Sequence, residues 1–358
     1  MQSKLVGGWL ISTSVGVMGL ITWGGYTRLK RAGLSMVEWK PLSIWYPTRQ
    51  NEWEAEYARY KEFPEYQQNP LDIEDFKEIY FIEYAHRLFA RALGLYLVIP
   101  MAAFWKAGML TSSMKTKLLG ITGLFGFQGA LGWIMVRSGL QHKDYDGRVK
   151  VEPINLATHL FCGVGLYSLI FYTGVNCFRK APEVVINTVE KLNLAKIARR
   201  KYMTLFHLSL LTVFSGGFVA GSDAGKILNN WPFYGDDYFF PENALTLNPV
   251  YMNFIENKEM IQFVHRNLAY LTYGSALNLW FYVRSIKAVL PYAKNAHLIL
   301  LLSTYQVVLG ITALMRGSPM HESLTHQSNA LLLLSTVMFG LSAFRKPNKI
   351  FIDKLLGK

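Results

Sequence analysis

Two short stretches of this 358-residue chain carry residues that could do chemistry, set at helical spacing. EYAHR at 83–87 puts Glu83 three positions before His86 and Arg87 directly after it, and QFVHR at 262–266 repeats the pattern with Gln262, His265 and Arg266. ATHL at 157–160 and LTHQ at 324–327 add His159 and His326. All four histidines fall in apolar stretches, where an imidazole without a partner is costly. A single buried histidine can simply hydrogen-bond a neighbouring helix. Four at one depth, two in each half of the chain, point instead to two pairs. Two imidazoles facing each other across a helix bundle are natural axial ligands for a heme iron. Zinc fits less well, because no cysteine or second carboxylate completes a tetrahedral set around either pair.

The two copies differ in one residue type. Glu83 shares a helical face with His86, and a carboxyl group can take or give a proton whereas the amide of Gln262 cannot. An acid/base group therefore stands beside one histidine pair and not the other. Glu83 also precedes Arg87 by four positions, the spacing of an ordinary intrahelical ion pair, and the two roles are compatible. Arg87 and Arg266 are placed either to snorkel outward or to meet a heme propionate in a bidentate contact. His207 and His297 have no counterpart in the other half and are expected to be satisfied core or interface residues.

The elements that must position these residues are membrane helices. Hydrophobic residues make up 51% of the chain and charged ones 17%, with the charges in blocks between long apolar runs. That pattern excludes an ordinary soluble domain. Eight stretches can each cross a hydrocarbon core: 5–24, 78–105, 116–136, 153–178, 203–221, 259–283, 295–315 and 322–344. With both ends inside, the inner segments hold 19 Lys and Arg against three acidic residues, and the outer segments 15 against 20. Basic loops stay on the cytoplasmic or matrix side, so both termini are expected there. The net charge of +13 is then a topology signal, and a nucleic-acid partner need not be invoked. Cys162 and Cys177 lie in or at the end of the fourth stretch and form no CxxC or CxxCH motif, so neither a disulfide framework nor covalent heme attachment is expected. No cleavable leader is evident at the start.

Landmarks recur in the same order in the two halves. GGYTRLKRAGLSMVEWKP at 24–41 matches GGFVAGSDAGKILNNWP at 216–232, EYAHR matches QFVHR, FQGALG at 127–132 matches YQVVLG at 305–310, and ATHL matches LTHQ. Each half has four stretches, so both enter the membrane in the same direction. The predicted fold is an all-α polytopic membrane protein of eight transmembrane helices, arranged as two four-helix bundles related by a pseudo-two-fold axis. Residues 1–180 form the first bundle, with a long outer segment at 25–77, and residues 200–345 form the second. Within the outer segment EWEAEYARYKEF predicts a surface helix, and Trp39, Trp45 and Trp53 predict packing at the membrane surface.

Taken together, GGYTRLKRAGLSMVEWKP, NEWEAEYARYKEFPEY, EYAHR, FQGALGWIMVRSGL, ATHL, GGFVAGSDAG, QFVHR and LTHQ resemble the heme A synthase family in its mitochondrial and alphaproteobacterial form. The resemblance runs over nearly the whole chain. It implies an enzyme that oxidises a methyl group of heme O to the formyl group of heme A for cytochrome oxidase assembly. It further implies that His265 and His326 hold a permanent heme b, that His86 and His159 flank the substrate heme, and that Glu83 is the essential carboxylate. The implied setting is the mitochondrial inner membrane, or a bacterial cytoplasmic membrane, with both termini in the matrix or cytoplasm. The partners it implies are heme O, the bilayer, an electron donor and heme O synthase, and small-residue faces allow a homo-oligomer. Some bacterial members carry a cysteine pair in the first outer loop; no cysteine occurs here before Cys162, so a mechanism that needs that pair does not apply.

Two other classes of function share these features. One is a diheme electron-transfer protein resembling cytochrome b, and the other is a repeat-built transporter that relays protons through its histidines. The one-sided carboxylate favours the synthase, since a symmetric electron wire has no use for it.

Overall fold

The structure, a computed structural model, describes residues 2–36, 38, 43–140, 147, 149–179, 186–235, 239–287, 293–344, 352–353 and 356. Trp39, from the outer segment, lies outside the described residues. The long helices are α1 (Gln2–Leu29), α4 (Ile73–Lys106), α5 (Ser112–Gly139), α6 (Pro153–Phe178), α7 (Val189–Ser222), α8 (Lys258–Ser285), α9 (Ala293–Met315) and α10 (Met320–Ala343). Two short helices, α2 (Gln50–Lys61) and α3 (Pro64–Gln68), lie in the outer segment. Each predicted stretch falls on a long helix, to within a residue at the end of the last. By length and composition α1, α4, α5, α6, α7 and α9 are long and apolar enough to cross a membrane. The chain is an all-helical, polytopic membrane protein. The polar residues of α8 and α10 cluster around His265 and His326, which lowers their apolarity.

Local chemistry sets the helix ends. Asp72 caps α4 by accepting from Asp75 N, and Glu74 and Asp75 in its first turn complement the helix dipole. Thr111, Thr188 and Asn257 cap α5, α7 and α8 in the same way. The first helix of each half stops at a left-handed residue, Arg31 at φ +54° after α1 and Asp223 at φ +60° after α7. Each then turns the chain back over the helix that carries the first histidine.

Helix α1 packs on α4, α6 and α10, and α7 packs on α6, α8 and α10; α4 meets α5, α5 meets α6, α8 meets α9, α9 meets α10, and α6 meets α10. One apolar core is built around Leu10, Leu97, Leu118 and Ile170, a second around Tyr202, Leu205, Leu279 and Ile299. The outward faces of α4, α5, α8 and α9 carry exposed large apolar side chains such as Leu95, Ile99, Leu119, Phe281 and Leu301, as lipid contact requires. Trp53, Tyr60 and Phe76 of the outer segment, with Ile79 and Tyr80 just beyond it on α4, form a buried cluster that seats α2 against α4, while Trp45 stays exposed.

Candidate functional site

The four histidines lie on α4, α6, α8 and α10, on corresponding helices of the two halves. His159, His265 and His326 each stand six or seven residues past the first residue of their helix, about 10 Å along it. His86 stands 13 residues into α4, because that helix begins earlier, in the outer segment. His86 is within electrostatic reach of His159, and His265 of His326. All four keep part of their surface accessible although they stand among packed helices. A ligand that has a partner to receive needs that combination.

Each ring rests on a glycine of a neighbouring helix. A Cβ added at Gly24 would stand 3.3 Å from His86 Cε1, at Gly216 3.2 Å from His265 Cε1, at Gly310 3.0 Å from His326 Cε1 and at Gly132 3.6 Å from His159 Cε1. Gly24 and Gly216 are the first residues of the repeated GG landmarks, and Gly132 and Gly310 end the repeated FQGALG and YQVVLG. The second glycine of each GG pair faces the other half of the chain. Gly217 brings α7 against the Ala157 backbone of α6, where a Cβ would be 2.7 Å from Ala157 Cα, and Gly25 lies against the Gln327 amide of α10. Successive residues on a helix point about 100° apart, so one glycine admits a histidine and the next admits a helix.

Glu83 and Gln262 occupy the same place in their halves and hold loops of opposite polarity. The Glu83 carboxylate accepts from Ser35 Oγ at 2.7 Å and Met36 N at 2.8 Å through Oε2, and from Arg87 at 2.5 Å through Oε1. Gln262 instead donates its amide to the carbonyls of Ala224 at 2.9 Å and Ile227 at 2.7 Å. The first loop presents donors and receives an acceptor; the second presents carbonyls and receives a donor. Arg87 also donates to the Met36 and Glu38 carbonyls, as Arg266 does to those of Leu228 and Phe233. The Arg266 guanidinium lies 4.3 Å from the centre of the Tyr234 ring, and its buried Nε has no partner among the described residues.

Three polar partners of the histidines are absent from the sequence reading. Ser215 lies 2.8 Å from His265 Nδ1. Gln306 reaches the His326 ring at 3.2 Å and its carbonyl at 3.1 Å. In its satisfied amide orientation Gln128 donates to His159 Nδ1 and to its carbonyl, each at 3.1 Å, and accepts from Gly163 N. Gln128 and Gln306 sit at the same register in the repeated FQGALG and YQVVLG, so the repeat itself held that signal. His297 accepts from Trp280 Nε1 at 2.8 Å and His207 Nδ1 meets the Met203 carbonyl, so both are hydrogen-bonded, but both are exposed on their helices and neither is a core residue.

Residues 7–338 match the COX15-CtaA family model, described as cytochrome oxidase assembly protein. The chain belongs to this family. It is 37% identical to the human Heme A synthase COX15 over 97% of this chain and 84% of that protein. The Saccharomyces cerevisiae Heme A synthase COX15 is 36% identical over 96% of this chain and 76% of its own, and the Heme A synthase of Chelativorans sp. 36% over 91% and 87%. Within a cytochrome oxidase assembly protein the donor set suits heme better than a bare metal. Among the described residues no group of three or more His, Cys, Asp or Glu could hold a metal ion. A heme iron asks the protein for one or two axial ligands, and a histidine pair in each half, cradled by glycines, offers those.

Proposed function

We propose that this chain is a heme A synthase, oxidising a methyl group of heme O to the formyl group of heme A for cytochrome oxidase assembly. The observation that carries the reading is the carboxylate beside one histidine pair only, in a chain whose relatives bear that name. Two bundles, residues 1–180 and 200–345, are supported by the pattern of neighbours. Exchanging α1, α4, α5 and α6 for α7, α8, α9 and α10 turns every contact within one half into a contact within the other, and turns α6–α7 into α10–α1. On this reading all eight long helices cross the membrane, and the excess of Lys and Arg in the inner segments puts both termini on the matrix or cytoplasmic side. Protease protection of tags at the two ends in sealed vesicles tests this, and opposite sidedness would sink it.

In the first bundle His86 and His159 flank the iron of the substrate heme. Glu83 stands one turn from His86, fixed by Ser35, Met36 and Arg87, and takes up a proton or stabilises positive charge as the methyl group is oxidised. In the second bundle His265 and His326 hold a heme b, which when bound supplies a one-electron redox centre. Arg87 and Arg266 are the cations available to propionates, and the unpartnered Nε of Arg266 is a donor left for a carboxylate.

The deciding experiment is extraction and mass analysis of the non-covalent hemes from wild type, His265→Ala and Glu83→Gln. Wild type is expected to carry heme b with heme O or heme A, the histidine variant to lose heme b, and the Glu83 variant to keep both hemes without making heme A. A glutamine at 83 can still accept from Ser35 and Met36, so the loop should hold. Heme b alone in both bundles, unchanged by Glu83→Gln, would assign the chain to electron transfer.

A further inference from the structure

The residue before the first histidine-facing glycine of each half differs between the halves. It is Ser215 ahead of Gly216 in the second half and Trp23 ahead of Gly24 in the first. Both histidine rings approach their glycine through Cε1, at 3.2 Å and 3.3 Å from the position of an added Cβ, so the two rings are set alike. Their Nδ1 atoms are not. Ser215 Oγ lies 2.8 Å from His265 Nδ1 and 2.8 Å from the Thr212 carbonyl. A hydroxyl has one proton to give, and a carbonyl can only accept it. With that proton committed to Thr212, the Ser215 oxygen accepts from the imidazole, which puts the ring proton of His265 on Nδ1 and leaves Nε2 with a free lone pair. Trp23 offers a donor alone, and its Nε1 is committed to the Ile82 carbonyl at 3.0 Å. His86 Nδ1 is buried with no partner among the described residues.

We propose that Ser215 is a positioning residue that fixes the tautomer and ring orientation of His265 as an iron ligand, and that Trp23 at the matching position leaves His86 unanchored. The second half thereby retains its heme while the first exchanges one. The physical basis is the partner on the far ring nitrogen: it stops the ring from turning and strengthens Nε2 as a donor. A site that must admit a substrate and release a product is served by a ligand without that anchor. The proposal rests on the reading that each half holds a heme.

The test uses the full chain, purified with its hemes, as wild type, Ser215→Ala and Ser215→Thr, with His265→Ala to assign the second-half heme. Transfer of heme to excess apomyoglobin and the midpoint potential of the second-half heme are followed. In wild type, the first-half heme is expected to leave faster than the second. Ser215→Ala is expected to weaken second-half retention about 10- to 100-fold and to raise its midpoint potential, because an imidazole that has lost the Ser215 acceptor at Nδ1–H favours ferric iron less. A tenfold bias between the two oxidation states corresponds to about 59 mV for one electron. Ser215→Thr, which keeps the hydroxyl, should restore both. A heme-bearing wild type whose Ser215→Ala variant matches it in retention and potential would overturn the role of Ser215. So would a loss of retention that Thr does not rescue and that leaves the potential unmoved, since that marks packing alone. A wild type with no heme in the second half would overturn the two-heme reading beneath it as well.

Discussion

Gly310 stands so close to His326 that an added Cβ would be 3.0 Å from Cε1, while at Gly132 the same addition would be 3.6 Å from His159 Cε1, an ordinary contact. Alanine favours a helix over glycine, so neither substitution should harm folding. Gly310→Ala is therefore expected to keep or raise the melting temperature of the heme-free protein while lowering its heme content, whereas Gly132→Ala leaves heme content near wild type. Heme-to-protein ratios of the two variants check this, and equal ratios would refute it. At this scale the sequence exposed the residues whose type alone announces chemistry: His86, His159, His265, His326 and the contrast of Glu83 with Gln262. Ser215 stayed hidden for a physical reason. A serine in an apolar helix can satisfy itself on a carbonyl of its own helix, as Ser168, Ser209 and Ser222 do. Only the ring across the gap distinguishes Ser215 from them.

The outer segment is an element in which burial and charge compete. Glu65, on α3, has a buried Oε2 without a partner among the described residues. Burial and then the nearby Glu83 charge raise its carboxyl to about 7, against the opposing pull of Arg31 and Arg28. An acid whose folded value lies above its ordinary 4.5 favours the folded state only while protonated. The native state should lose stability as pH rises from about 4.5 to about 7 and regain it on acidification. Glu65→Gln is thus expected to raise the melting temperature at pH 8 and leave it unchanged at pH 4, and an equal shift at both pH values would contradict it. Helix lengths were less legible than helix positions. The predicted stretch 203–221 lies within α7, which begins 14 residues earlier at Val189. Residues 189–202 are rich in Lys and Arg, so an apolarity criterion stops at 203. Yet Leu192, Ala195, Ala198 and Tyr202 are buried on one side, and packing extends the helix beyond the apolar run.

Between the halves, the outer surface is tied by Asp223. Its carboxylate meets Lys226 at 3.0 Å within its own half, and Arg28 at 3.5 Å and Lys150 at 3.9 Å from the other. Burial works against its charge, but Arg28, Lys226 and Lys150 outweigh burial and hold the carboxyl below its usual value of 3.8. A depressed acid contributes stability while it is ionised, so this contribution is present above about pH 4 and lost as pH falls through the depressed value. Asp223→Asn is expected to destabilise the protein by about 1 kcal/mol at pH 7 and to converge with wild type in acid, as thermal unfolding across pH would reveal. A valine at Gly217 should cost more at every pH, because its Cβ would collide with the Ala157 backbone rather than with a side chain able to yield. The sequence by itself determined the helical class, the positions of the long helices, the repeat and the histidines, because apolar runs and residue types are properties of the chain alone. Only the tertiary structure decided which helices are neighbours, which glycine of each pair faces a histidine and which faces a helix, and why Glu83 and Gln262 each fit their loop. Those facts depend on what lies across a gap, and hydrogen-bond direction and van der Waals distance between distant segments are settled only when the segments meet.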